Sequence, residues 1–245
     1  MGCCMNVLIN EYKLPSTMTD TYGRLGIVGA LAIVQDNMCQ FFRMIRCDGF
    51  IMEPQIHCFW VVTKTNIKIL DNAEWLDDIQ VKTYLSKKTN IRVNLTTEIR
   101  HKDDRLIAEC TQEICAMGSI DRKIRLVKDT FFPLDCEVVE RDFLFTKLAF
   151  ADIEFDTKNC VTINSSNIDF CMHTNNLEYV KLMLDCYPID FWRDRDIVEF
   201  DINYLSESRY ADELIIQSKV INNSSCFVIT KGSDIITKAQ ILFNK

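Results

Sequence analysis

The spacing of apolar residues predicts one long helix near the start of the chain. In the segment LGIVGALAIVQDNMCQFFRMI, residues 25–45, apolar side chains recur every three or four positions, as on one face of an α-helix. Four segments after it are rich in β-branched residues or alternate between apolar and polar positions, so they predict strands. These segments are FWVVTKTNIKI, DIQVKTYL, IRVNLTTEIRH and LIAECTQEICAM, and HKDDR is a turn between the last two.

The second half of the chain repeats this order. NNLEYVKLMLDCYP, residues 175–188, places Leu177, Val180, Leu184 and Tyr187 on one helical face, and Pro188 ends the pattern. The strands IVEFDINYL, ELIIQSKV, CFVITKG and IITKAQILF follow. INYLSESRYADEL, residues 202–214, aligns without gaps with IKILDNAEWLDDI, residues 67–79. A repeat of this length indicates a duplicated domain.

The predicted fold class is therefore α+β, with a helix and an antiparallel sheet in each half. Each helix has to bury its apolar stripe against one face of a sheet. We expect the two sheets to pair side by side, because each would then cover the exposed edge of the other. The charged stretch 128–142 contains a proline and marks the boundary. We predict an N-terminal unit at 1–130, a linker at 131–142 and a C-terminal unit at 143–245.

Composition narrows the function classes. The net charge of −7 disfavours nucleic acid as a partner, because phosphate binding needs concentrated positive charge. The twelve cysteines include no C-x-x-C pair, so neither a zinc site nor a disulfide framework is predicted, and they suit a reducing cytoplasm. No uninterrupted apolar run is long enough for a membrane span, and no secretory signal is recognisable. We expect a cytoplasmic protein with no nucleic acid and no membrane as partners.

The two halves differ where chemistry would be expected. When the segments before the two predicted helices are aligned, the acid is kept but the histidine is not. A second difference lies in the aligned segment after the first strand of each half. The aligned positions are Asp20 with Asp169, Arg24 with His173, Gly26 with Asn175, and Asn72 with Glu207. This asymmetry indicates that the second half carries the reactive groups.

These residue types form a plausible hydrolytic set. Asp169 would accept a hydrogen bond from a ring nitrogen of His173 and fix its tautomer, so that the imidazole acts as a base. The helix beginning near Asn175 would stabilise an oxyanion. Glu207, expected on a strand, would act as a second base or orient water. The set suits hydrolysis of a thioester or an ester.

Simpler interpretations of the same residues stay open. Asn175 is most simply a helix N-cap, and Glu207 can be a solvated turn residue. Cys171 can be a thiol nucleophile activated by the histidine or one of many small apolar fillers. Which of His173 and Glu207 is the base is also open.

At these residues the sequence resembles the acyl-ACP thioesterases, a family with a double hotdog fold, over most of the chain. The family motif reads roughly Asp-x-Asn-x-His-x-Asn-Asn with an aromatic residue following. In DFCMHTNNLEY the matching residues are Asp169, His173, Asn175, Asn176 and Tyr179, and the family's catalytic glutamate corresponds to Glu207. The family's asparagine two positions before the histidine is Cys171 here, and a thiol is a poorer donor than an amide.

The resemblance implies two tandem hotdog units and hydrolysis of acyl–acyl carrier protein thioesters to free fatty acids, with no metal or organic cofactor. The acyl chain would lie in the first unit against its helix, near Met38, Phe41 and Phe42. The basic segment DRKIRLVK, with Arg122, Lys123, Arg125 and Lys128, is the candidate docking site for the acidic carrier. The alternatives are an acyl-CoA thioesterase and an acyl-binding protein that has lost catalysis, and a homodimer is left open.

Overall fold

The computed structural model of the chain describes residues 6–141, 143–150 and 153–244. It contains two compact units, Met1–Leu144 and Phe145–Lys245. The predicted linker, 131–142, lies just before this division, and its last residue is outside the described part. Within the described residues, no helix is both long and apolar enough to cross a membrane.

The first unit packs one long helix against an antiparallel sheet. The helix contacts three of the strands. The strand order is β1-β3-β4-β5-β2, and β6 pairs with β5. The elements are β1 (Val7–Lys13), α1 (Ile27–Met44), α2 (Gly49–Ile56), β2 (Cys58–Ile69), β3 (Asp78–Lys88), β4 (Val93–His101), β5 (Leu106–Gly118) and β6 (Ile124–Arg125).

The second unit has the same plan with a shorter helix. Its strand order is β7-β9-β10-β11-β8, which repeats that of the first unit strand for strand. The elements are β7 (Thr157–Thr162), α3 (Asn176–Leu184), α4 (Ile189–Arg193), β8 (Asp196–Tyr204), β9 (Glu213–Ile221), β10 (Ser224–Lys231) and β11 (Asp234–Asn244). The prediction of two tandem α+β units is confirmed.

Three differences from the prediction have local causes. The strands β1 and β7 were not predicted because each is short. In the described part of the chain, β1 pairs with β3 and β7 with β9. The second helix was predicted over 175–188, but α3 ends at Leu184. Pro188, whose backbone is extended, caps a separate short helix, α4, because proline disfavours a helical conformation in the residue before it.

Residues of the predicted linker fold back onto the sheet of the first unit. Val139 N–H donates to a carbonyl of β3 at 2.9 Å, and Arg141 Nε donates to the hydroxyl of Tyr84 at 2.8 Å. Arg141 also pairs with Glu98, which is 2% exposed and accepts from Tyr84 at 2.8 Å and Arg100 at 3.0 Å. Burial alone would raise the pKa of Glu98, but these hydrogen bonds and the two arginine charges lower it overall.

Candidate active site

A tight turn immediately before α3 holds His173. The turn is closed by Asp169, whose backbone N–H donates to the carbonyl of His173 at 2.9 Å. Its side-chain Oδ1 accepts from the backbone N–H groups of Cys171 at 2.8 Å and His173 at 3.4 Å. Met172 has a φ of 62°, a left-handed conformation in which the first unit has a glycine, Gly23, with a φ of 75°. The main-chain direction at His173 is therefore fixed by Asp169.

Glu207 lies in the loop between β8 and β9, so the expectation that it stands on a strand was wrong. The chain leaves β8 where Leu205 and Ser206 donate their backbone N–H groups to the carbonyl of Ile236. It is anchored again where Ala211 N–H donates at 2.9 Å to the carbonyl of Ile163, the residue after β7. The loop between these two anchors carries Glu207 clear of the β-ladder.

The two loops bring the imidazole and the carboxylate together. Nε2 of His173 lies 3.1 Å from Oε2 of Glu207, and the side chains are 17% and 29% exposed. The acid partner of the imidazole in this structure is therefore Glu207, where the sequence analysis expected Asp169. Asp169 uses its carboxylate on backbone N–H groups because the turn is too tight to leave them unpaired. A carboxylate at hydrogen-bonding distance fixes the tautomer and the orientation of a histidine ring.

The helix α3 begins directly beyond His173. Asn175 is its N-cap, and its side-chain oxygen accepts from Leu177 N–H at 3.0 Å, as the simpler interpretation of this residue predicted. Asn176 is the first residue of the helix and is half-buried. Because α3 runs for nine residues, its N-terminus presents backbone N–H groups and the positive end of the helix dipole beside the His173 loop.

Three buried hydroxyls are hydrogen-bonded together where the two loops meet α3, and only one of them, that of Tyr179, was singled out in the sequence. Ser208 Oγ is 2.7 Å from Thr174 Oγ1 and 2.8 Å from the hydroxyl of Tyr179. Thr174 follows His173 in the chain and Ser208 follows Glu207. We call Thr174, Tyr179 and Ser208 the hydroxyl cluster. Burial raises the pKa of Tyr179, so its hydroxyl stays protonated near neutral pH.

Comparison with known families decides what this site belongs to. The family model of the acyl-ACP thioesterase N-terminal domain matches residues 6–133, and that of the C-terminal domain matches residues 151–245. The chain belongs to the acyl-ACP thioesterase family. The resemblance seen in the DFCMHTNNLEY motif is thereby confirmed.

Individual relatives agree with the family assignment. The chain is 24% identical over 186 residues to a chloroplastic acyl-[acyl-carrier-protein] hydrolase of Cuphea viscosissima. That match covers 71% of this chain but only 44% of the relative's length. Two solved structures share the fold: an acyl-ACP thioesterase from Bacteroides thetaiotaomicron VPI-5482 and the 12:0-ACP thioesterase from Umbellularia californica.

The two structures match along nearly the entire chain. The Bacteroides protein has 18% identity and a TM-score of 0.81, with 100% of each chain covered. The Umbellularia protein has 18% identity and a TM-score of 0.85, with 100% of this chain and 99% of the other covered. Each unit is thus a hotdog unit, as predicted from the family motif.

Other residues assigned from the family resemblance lie in the first hotdog unit. On α1, Met38 is half-buried, whereas Phe41 and Phe42 are buried. The ring of Phe42 stacks on that of Trp60 with centroids 4.8 Å apart. Both phenylalanines are thus core residues of this unit, and contact of the three with an acyl chain stays a prediction.

The basic segment 121–128 surrounds β6. Arg122, Lys123 and Lys128 are exposed, and Lys128 lines an open cavity of about 350 Å³ together with Lys88. Arg125 is tied to Asp121 by a hydrogen-bonded ion pair of 3.0 Å. Carrier docking on this surface stays a prediction.

Cys171 is exposed on the His173 turn, at the position where the family motif has asparagine. Among the described residues, no group of three or more histidine, cysteine, aspartate or glutamate side chains could hold a metal ion. A nucleophilic role for Cys171 stays a prediction.

Proposed function

We propose that this protein hydrolyses acyl–acyl carrier protein thioesters, releasing a free fatty acid and the carrier thiol. Membership of the acyl-ACP thioesterase family supports the substrate class. The observation that carries the proposal is the 3.1 Å contact between His173 and Glu207. The aligned positions of the first unit hold Arg24 and Asn72. Neither side chain can accept a proton from water near neutral pH.

The His173–Glu207 pair supplies the proton acceptor for a water molecule. The water oxygen attacks the thioester carbonyl carbon as its proton passes to the imidazole or, through it, to the carboxylate. The tetrahedral intermediate then collapses, the carbon–sulfur bond breaks, and the departing sulfur takes the proton back. The products are a carboxylic acid and a thiol, so the atoms balance without any other reactant.

The N-terminus of α3 is the candidate for stabilising the oxyanion. Backbone N–H groups and the helix dipole favour negative charge at this position. Asn176 is the first residue of α3, so its backbone N–H is one of the groups proposed to bind the oxyanion. The side-chain oxygen of Asn175 is already engaged as the helix cap. Cys171 supplies a weaker donor than an amide, and losing one oxyanion donor costs about 2.7–4 kcal/mol in other enzymes. A modest turnover number is therefore expected.

The remaining assignments follow from the family and from local chemistry. We propose that Met38, Phe41 and Phe42 contact the acyl chain, and that Arg122, Lys123, Arg125 and Lys128 dock the acidic carrier. The reaction ends acyl-chain growth, which places the enzyme in fatty acid biosynthesis. Ten described cysteines are free thiols, which supports a reducing compartment such as the cytoplasm.

The first experiment measures release of carrier thiol from a panel of acyl-ACPs and matching acyl-CoAs. Mass or gel mobility of the carrier must be used, because the protein's own cysteines would react with a colorimetric thiol reagent. Wild type, His173→Ala and Arg24→Ala are compared. Arg24→Ala is the matched control, since it removes the side chain at the aligned position of the first unit.

We expect wild type and Arg24→Ala to cleave acyl-ACP at similar rates, and His173→Ala to lose about 100-fold to 10,000-fold in kcat. Preference for acyl-CoA would replace the carrier in the proposal by coenzyme A. Tight binding of acyl-ACP by wild type without turnover would overturn the proposal, and the protein would then be an acyl-binding protein marked by Cys171.

A further inference from the structure

The hydroxyl cluster joins the two loops that carry the reactive pair. Thr174 N–H donates to the carbonyl of Ser208 at 2.9 Å, and Thr174 Oγ1 donates to the same carbonyl at 3.1 Å. Ser208 N–H donates to the hydroxyl oxygen of Tyr179 at 3.1 Å. With the two hydroxyl contacts at 2.7 and 2.8 Å, both loops are bonded to each other and to α3.

One arrangement of protons satisfies every donor in the cluster. The hydroxyl of Thr174 donates to the Ser208 carbonyl, that of Ser208 to Thr174 Oγ1, and that of Tyr179 to Ser208 Oγ. The Ser208 amide then donates to Tyr179. Thr174, Ser208 and Tyr179 are only 4%, 0% and 2% exposed. A buried, fully satisfied network of this kind holds its backbone segments in one arrangement.

The first hotdog unit shows that the fold does not require these hydroxyls. The offset that aligns Asp20 with Asp169 places Leu25 at the position of Thr174 and Ala30 at that of Tyr179. The offset that aligns Asn72 with Glu207 places Ala73 at the position of Ser208. All three first-unit residues are buried and apolar.

The main-chain hydrogen bond is nevertheless the same in both units. Leu25 N–H donates to the carbonyl of Ala73 at 2.8 Å, as Thr174 N–H does to that of Ser208 at 2.9 Å. The two loops thus meet in both units, but at this junction the unit that holds His173 and Glu207 has hydroxyls where the first unit has the apolar side chains named above. Burying hydroxyls where apolar side chains suffice carries a desolvation cost, so the added bonds have another use.

We propose that Thr174, Tyr179 and Ser208 are positioning residues that hold His173 and Glu207 at their working distance. The inference rests on the proposed function. Ser208 is not a nucleophile, because it is fully buried and its hydroxyl is engaged on both sides. Its effect passes through the main chain, since each reactive residue is the chain neighbour of a cluster member.

The test compares kcat and KM on acyl-ACP for Thr174→Val, Ser208→Ala, Tyr179→Phe and the conservative Thr174→Ser. A misplaced catalytic group loses about 100-fold in rate for a shift near 1 Å. We expect the first three variants to lose about tenfold to 100-fold in kcat with KM changed less than twofold. Thr174→Ser, which keeps the hydroxyl, should retain most of the wild-type kcat.

A matched control separates positioning from stability. Thr83 and Thr97 form a buried hydroxyl pair at 2.9 Å in the sheet of the first unit, so Thr83→Val deletes a similar hydrogen bond away from the reactive residues. Thr83→Val should lower the melting temperature by an amount comparable to Thr174→Val and leave kcat unchanged. An equal loss of kcat in Thr83→Val would assign the effect to general destabilisation and overturn the inference.

The two proposals fail in different ways. Absence of turnover in wild type contradicts the proposed function. Wild-type turnover together with unchanged kcat in Thr174→Val and Tyr179→Phe contradicts the positioning role alone. Because Ser208→Ala can leave a void and impair folding, the decision is read from the other two variants, whose replacements are nearly isosteric.

Discussion

Nε2 of His173 and Oε2 of Glu207 lie 3.1 Å apart although the two residues belong to separate loops of the second unit. In the proposed reaction, the imidazole and the carboxylate act together as one proton-accepting group. Neither residue has a chemical counterpart in the first unit, where the aligned side chains are those of Arg24 and Asn72. Small chemical changes in this pair should therefore lower kcat more than equally small changes elsewhere in the chain.

Glu207→Gln should abolish most of the activity. The amide keeps the size of the side chain but removes the charge that stabilises a protonated imidazole, so kcat is expected to fall about 100-fold or more. Glu207→Asp keeps the charge at a greater distance and should lose less. Glu213→Gln, at the exposed start of β9, is the charge-matched control. Near wild-type kcat in Glu207→Gln would show that the carboxylate is a structural loop residue.

Charge reversal on the basic segment should weaken recognition of the carrier without affecting chemistry. Lys123→Glu combined with Lys128→Glu is preferred, because Arg125 is tied to Asp121 and Arg122 lies over the ring of Phe59. We expect KM for acyl-ACP to rise about tenfold at low salt with kcat unchanged, and the difference to shrink as salt screens the charges.

A small acyl substrate and a second variant complete that measurement. KM for acyl-CoA or a short synthetic thioester should change little in the double variant. Lys147→Glu combined with Lys158→Glu is the control for total charge, since it also reverses two exposed lysines but places both changes in the second unit. Equal effects of the two changes on KM would exclude local docking at 122–128.

Enlarging Met38 should shorten the preferred acyl chain. Met38 is half-buried on α1, so Met38→Trp adds volume where the chain is proposed to lie. Fitting one methylene more or less into an apolar pocket changes the activation free energy by about 1–3 kcal/mol. In Met38→Trp, kcat/KM for the longest accepted acyl chain should therefore fall roughly tenfold relative to that for shorter chains. Competition assays on a mixed acyl-ACP pool measure this ratio. Met44→Trp, at the exposed end of the same helix, should leave it unchanged.

Acid should destabilise the first unit through Glu98. Burial alone would raise the pKa of this carboxyl, but hydrogen bonds from Tyr84 and Arg100 and the arginine charges outweigh burial and lower it below its ordinary value. Its stabilising contribution is therefore fully present above that value and is lost as the pH falls through the lower folded-state pKa. Melting temperatures from pH 7 down to about pH 3 should fall less steeply for Glu98→Gln than for wild type.

The control for this titration is Glu11→Gln, which removes the same charge from an exposed position on β1. It should keep the acid dependence of the wild type. If the melting temperature of Glu98→Gln fell with decreasing pH as steeply as that of wild type, other carboxylates would govern acid unfolding. Glu98→Gln should also melt lower than wild type near pH 7, because Arg141 and Arg100 lose a charged partner.

Much of the fold could be predicted from the sequence, because long helices and strands carry a strong periodic pattern of apolar residues. The prediction of a helix over 25–45 contains α1, which runs from Ile27 to Met44, and the eight predicted strands all exist. The short strands β1 and β7 escaped because seven and six residues carry too little periodicity. The separation of α3 from α4 escaped because the apolar positions continue through the break before Pro188.

Part of the site could be predicted from the sequence, because the two halves of the chain can be aligned with each other. Aligning the halves singled out His173 and Glu207, but it could not say which acid faces the imidazole. That depends on how the turn uses the oxygens of Asp169, which accept from backbone N–H groups. The same alignment would also have exposed Thr174 and Ser208, since their counterparts are Leu25 and Ala73, had buried positions been compared as well as chemically reactive ones.

The left-handed residue in the two turns has a consequence for engineering. Gly23 adopts its conformation without steric cost, whereas Met172 places a side chain in a region that costs an ordinary residue about 1–2 kcal/mol. The turn that presents His173 thus gives up folding stability that its counterpart in the first unit retains. Substitutions that stabilise the turn around Gly23 should leave activity unchanged. Replacing Met172 by glycine should raise thermal stability but also loosen the turn that holds His173, so activity should fall.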